Sequence, residues 1–132
     1  MRFVIVLSVL WASLPLACAN HISWLGDYDK AQKLAMQEQK PMMVLLVEED
    51  CVPCNEMIKK VFMNHDYIDI LNQKVISVIV TRDSRISYPI ELFYSTTFPT
   101  LFLVDSKNET FINKPFYGRV DVDKLVSTVD KF

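Results

Sequence analysis

Only two of the 132 residues are glycine and only two are histidine. There is no phosphate-cradling nucleotide loop and no catalytic Ser/His/Asp set. Cations are not in surplus: 14 Lys and Arg stand against 16 Asp and Glu, giving a formal net charge of −2. With no basic stripe along the chain, no nucleic-acid partner is expected. The chain is not poor in apolar residues, which make up 51% of it, so disorder and low complexity are excluded as well. Neither internal repeats nor linkers are visible, and the length suits one domain.

What is present begins with a segment of a different kind. Residues 1–19, "MRFVIVLSVLWASLPLACA", combine a short positive start at Arg2, an uncharged core from Phe3 to Leu14 and a break at Pro15. Ala17-Cys18-Ala19 then has the small-x-small pattern of a signal-peptidase site. The stretch is short for a membrane span. A cleaved signal peptide (1–19) followed by one domain (20–132) is expected. The alternatives are an uncleaved anchor or a lipoprotein modified at Cys18. Pro15 weakens the second, because leucine usually occupies that place. Cleavage after Ala19 leaves Cys51 and Cys54 as the only cysteines, in a compartment where disulfides persist.

After a lead-in, Asp27 is placed to cap a helix through "YDKAQKLAMQEQK", with Ala31, Leu34, Ala35 and Glu38 at helical spacing and Pro41 as the stop. Met42–Val47, "MMVLLV", reads as a strand buried on both faces. A helix "NEMIKKVFMN", with Met57, Ile58, Val61 and Phe62 as its apolar stripe, is followed by a short helix "HDYIDILNQ" and a strand, Val75–Val80. Residues 82–98 are loop with a short helix at Ile90–Tyr94. Thr100–Val104 is a strand, "TFINKPFYG" a second antiparallel strand, and Asp121 starts a last helix with Val122, Leu125, Val126 and Val129 on one face. The methionines at 36, 42, 43, 57 and 63 read mostly as core, and Lys59-Lys60 as a solvated helix face. The order α-β-α-α-β-α-β-β-α predicts an α/β fold whose sheet of about four strands is part parallel and part antiparallel, flanked by helices.

The chemistry concentrates in "EEDCVPCN", residues 48–55. A Cys-x-x-Cys at a strand-to-helix junction is the sequence form of a redox couple. With Cys51 as the last residue before a helix, unsatisfied N–H groups and the positive helix end favour its thiolate, which is the nucleophile. Cys54, one turn further on and more buried, is placed to resolve a mixed disulfide. Pro53 suits the first helical turn. Two other readings stay open. A zinc site needs about four ligands, and only His21 and His65 remain, at unrelated spacing. A purely structural disulfide would close so short a loop that it stabilises little. Asn55 follows Cys54, so the pair is not a haem-attachment motif. Downstream, Pro99 in "TTFPTLFLV" directly precedes a strand. Proline belongs at strand starts, and cis peptide bonds are almost confined to it.

Together, "CVPC", "TFPT" (97–100) and "FYGRV" (116–120) resemble the thioredoxin superfamily over about residues 24–132. "KPMMVLLVEEDCVPCNEMIKKVF" is most similar to the exported subgroup that includes the C-terminal domain of the periplasmic thiol:disulfide interchange protein. The resemblance implies a thioredoxin-like fold, catalytic Cys51 and Cys54, a cis Pro99, and no cofactor or metal. It also implies a substrate-binding rim of Val52, Pro53, Thr97, Phe98 and Pro99, with Phe98 backbone groups pairing to the substrate as an added strand. Implied partners are protein disulfide substrates and a membrane thiol-disulfide electron donor, with the domain a monomer. The closing "VDKF" is not an ER-retention signal, and a bacterial periplasm is expected.

The departures from thioredoxin are specific. Asp50 stands where the tryptophan before the first cysteine is found, and Leu45 where a buried acid accepts the resolving cysteine's proton. Glu48 is the nearest substitute acceptor. Val52-Pro53 supplies no cation, and the three acids at 48–50 disfavour the Cys51 thiolate. Both effects argue for a reductase, with a potential nearer roughly −270 mV than the roughly −120 mV of a strong oxidant. The competing expectations are a disulfide oxidase or isomerase, and a non-catalytic binding or chaperone module.

Overall fold

The six residues Met42–Val47 form the strand on which the rest is assembled, and all six are buried. In the computed structural model, which describes residues 21–132, this strand (β1) is flanked on both sides. Ile76–Thr81 (β2) runs parallel to it and Thr100–Val104 (β3) antiparallel; a two-residue strand, Phe116–Tyr117 (β4), pairs with β3. The order is β2-β1-β3-β4. Outside β2, Leu25 makes a further parallel bridge to Val78. The proposed leader at 1–19 lies outside the described residues.

Because side chains alternate along a strand, β1 feeds two cores. Met43, Leu45 and Val47 join Ile68, Leu71, Leu125 and Val129 on one face; Met42, Val44 and Leu46 join Tyr28, Ala31, Ala35 and Phe102 on the other. Helices α2 (Val52–Lys60), α3 (His65–Lys74) and α4 (Val122–Val129) cover the first face and α1 (Tyr28–Glu38) the second. The helix starts follow from their caps. Asp27 and Asp121 each accept a hydrogen bond from the backbone N–H three residues on, which satisfies a donor that the helix itself leaves free.

Three sequence expectations are corrected. Residues 90–94 form no helix. One turn, closed by Phe93 N–H donating to the Pro89 carbonyl at 3.1 Å, is all that forms, since so short a segment cannot repay helix nucleation. Residues 110–118 are not one strand: Phe111 makes an isolated bridge to Val104, and pairing resumes only at Phe116, after Pro115, which has no N–H for a ladder. The second helix starts at Val52 and ends at Lys60, because the chain turns to bury Phe62 edge-on against Trp24. The methionines are mostly core, as expected: Met42, Met43 and Met57 are buried, and Met36 and Met63 are exposed.

Candidate active site

Cys51 is the N-cap of α2. It follows directly after Asp50, which takes a left-handed backbone conformation (φ 54°) and so turns the chain out of β1 into the helix. The Cys51 sulfur accepts a hydrogen bond from Cys54 N–H at 3.1 Å, and the Cys51 carbonyl accepts from Asn55 N–H at 3.2 Å. The helix end therefore donates to the sulfur, as its unsatisfied N–H groups require. Cys51 and Cys54 are joined in a disulfide with their Cα atoms 5.3 Å apart. Both are buried, Cys54 more deeply, at 2% against 7% exposure. Val52 and Pro53, between them, face solvent, Val52 at 66%.

Leu45, fully buried, belongs to the same packed hydrophobic cluster as both cysteines. Glu48 is half-buried at the end of β1, where it lines a small polar recess with Glu49, Arg82 and Asp83. Among the described residues no hydrogen bond joins it to either cysteine. Glu49 and Asp50 are exposed.

Pro99 lies buried just before β3, and the Phe98–Pro99 peptide is cis. The approach to it is held by a short hydroxyl network. Ser95 Oγ accepts from Thr97 N–H and donates to the Thr97 carbonyl, both at 3.0 Å, and Thr100 Oγ1 donates to the same carbonyl at 2.6 Å. From the other side Gly118 N–H donates to the Pro99 carbonyl at 2.8 Å. A side chain at Gly118, whose φ is +71°, would meet Thr97 Cγ2 at 3.2 Å, so glycine is needed there both for backbone angle and for space. Phe98 packs against the cluster that contains the cysteines. Its backbone N–H and C=O have no hydrogen-bond partner among the described residues.

The sequence reading missed Arg82. It follows β2, donates its backbone N–H to the Val47 carbonyl at 2.8 Å, and sets its guanidinium 5.3 Å from the centroid of the Phe98 ring. No motif marks it; only the parallel pairing of β1 with β2 brings residue 82 beside residue 98.

The Thioredox_DsbH family model, described as a protein of unknown function, DUF255, matches residues 12–119. No curated protein matches the sequence. Among solved structures, one titled DsbH Oxidoreductase superposes with a TM-score of 0.67 at 19% identity, covering 92% of this chain and 93% of that one. A putative disulphide-isomerase from Bacteroides thetaiotaomicron gives 0.67 at 22% identity, with 86% and 94% covered. The oxidised DsbD C-terminal domain of Neisseria meningitidis gives 0.58 at 19%, with 78% and 90% covered. At these identities the structures speak for the fold, a four-stranded mixed sheet between helices. The chain thus belongs to the Thioredox_DsbH family, and it has a thioredoxin-like fold with a Cys-x-x-Cys disulfide.

Proposed function

We propose that the protein reduces disulfides of exported proteins in the periplasm through the Cys51/Cys54 couple. The observation that carries this reading is the position of the pair. Its outer sulfur sits at a helix N-terminus, its inner sulfur is buried, and both pack near a residue whose backbone hydrogen-bonding groups are free. In the reduced protein the Cys51 thiolate attacks one sulfur of a client disulfide. A Cys51–client disulfide forms and one client thiolate leaves. The Cys54 thiolate then attacks the Cys51 sulfur, which forms the intramolecular disulfide and releases the second client thiolate. Two electrons have passed to the client, and a membrane thiol-disulfide donor returns them.

Phe98 offers an extended client one hydrogen-bond donor and one acceptor, as strand addition requires. Val52, Pro53 and Thr97 supply the exposed rim, and buried Pro99 supports the strand behind it. Glu48, or water in its recess, takes the Cys54 proton. Residues 1–19 act as the cleaved leader, which mass determination of the periplasmic protein tests. Among the described residues no helix is long and apolar enough to cross a membrane.

The deciding experiment is dithiothreitol-driven insulin reduction with the potential of the pair measured beside it. Activity is expected for the wild type and none for Cys51→Ser. Unchanged activity in that variant overturns the enzymatic reading, and a potential above about −150 mV overturns the direction.

A further inference from the structure

Beside the Phe98 edge lies a recess of about 240 Å³. Its floor is Leu46 and Phe93, both buried, and its walls include Tyr88, Ile90, Tyr94 and the Arg82–Asp83 pair. Ile90 and Tyr94 are 62% and 69% exposed. They belong to the stretch 82–98, which has no regular secondary structure. Large apolar side chains left open around a concave floor mark a binding surface. Arg82 joins this recess to the redox site, since the guanidinium that helps to wall the recess also lies 5.3 Å from the Phe98 ring centroid.

We propose that this recess is a specificity subsite for the client polypeptide, and that it takes an aromatic side chain close to the reacting client cysteine. The proposal rests on the redox reading above. In an extended segment, residues two apart point to the same face, so a client paired along Phe98 sends a neighbouring side chain toward Arg82. An apolar floor with aromatic walls favours an aromatic ring, and the guanidinium adds a cation–π contact. Charge selects against the alternative of an acidic side chain. Asp83 itself lines the recess and engages Arg82 Nε at 3.3 Å, and Glu48 and Glu49 share a second recess with this pair.

The test uses disulfide-linked peptides that carry Phe, Ala or Asp at the second position on either side of the cysteine, with dithiothreitol as electron source. For wild type, kcat/KM is expected to be about tenfold higher for the Phe peptide than for the Ala peptide, with the Asp peptide lowest. In an Ile90→Ser, Tyr94→Ser double variant, the Phe and Ala peptides are expected to converge while the potential of the pair stays unchanged. Both substituted positions are exposed, so folding is retained. Equal rates for the Phe and Ala peptides in wild type, or a preference that survives the double variant, overturn the subsite. A potential that moves with the preference also overturns it, because the residues would then act on the thiols. Wild-type protein unable to reduce insulin overturns the redox reading itself, and the subsite with it.

Discussion

The two faces of β1 are built from adjacent residues of similar size, yet they serve different ends. Met43, Leu45 and Val47 share one cluster with both cysteines and with residues of α2, α3 and α4. Met42, Val44 and Leu46 pack against α1 and a group of rings: Phe93 meets Tyr28 at 5.3 Å and Phe102 at 5.2 Å between centroids. This second face is also latched by polar contacts. Tyr28 donates to Glu109 at 3.0 Å, and Gln32 donates to the other Glu109 oxygen at 3.0 Å, which ties α1 to the turn after β3. One face holds the cysteine pair, the other ties α1 to the sheet. Phe98, packed against both clusters, is where they meet.

Leu45 and Leu46 provide the sharpest way to break the comparison, being the same residue type, adjacent, and at most 2% exposed. Leu45→Ala and Leu46→Ala are each expected to cost about 2–5 kcal/mol in denaturant unfolding. Only Leu45→Ala is expected to speed alkylation of Cys54 in the reduced protein, because the cavity opens in the cluster that holds that sulfur and eases local opening. Since global stability falls in both, the difference in labelling isolates the local effect. Equal labelling would mean that the two faces are not separable.

The same two faces explain what was legible beforehand. Helix caps at Asp27 and Asp121, the buried run of β1 and the limits of β3 are written in local chemistry, as is the placement of Cys51 at a helix start. The apolar replacement of an acid at Leu45 was visible too, and the structure places that side chain in the cluster with the cysteines. Residues 82–98 were not legible. Their order comes from long-range contacts, Arg82 with Phe98 and Phe93 with Tyr28, which leave no period in the sequence. The broken strand at 110–118 was misread because apolar residues on both sides of Pro115 outweighed the proline.

A smaller effect tests the latch. Burial, and then the neighbouring Glu109 carboxylate, raise the Tyr28 pKa above its ordinary value of 10.0. The unfolded chain therefore loses that proton first as pH rises. Its stabilising contribution is complete below about pH 10 and declines above it, through the folded-state pKa. Tyr28→Phe is expected to cost about 1–3 kcal/mol near pH 7, where a hydrogen bond to a charged partner is lost. It should also flatten the alkaline decline in melting temperature. The potential of the cysteine pair should not move, because the latch lies on the other face.

The smallest expected effect concerns the acids that precede the pair. Glu49 and Asp50 are exposed and Glu48 half-buried, so water and salt screen all three. Their combined effect on Cys51 is of the size of exposed ion pairs, about 0.2–1 kcal/mol. The sign is fixed by which form carries charge. Negative neighbours penalise the Cys51 thiolate, hence the reduced form, while the disulfide carries no charge to repel. A Glu48→Gln, Glu49→Gln, Asp50→Asn variant should therefore make the couple more oxidising, raising its potential by about 5–20 mV at low salt. Half a molar salt should shrink the difference, since the Debye length then falls well below 10 Å. An unchanged or lowered potential would leave the packed cluster around Leu45 and the uncharged Val52-Pro53 turn as what sets the potential of the couple. In that case the chemistry of the pair is set from its packed face and hardly at all from solvent.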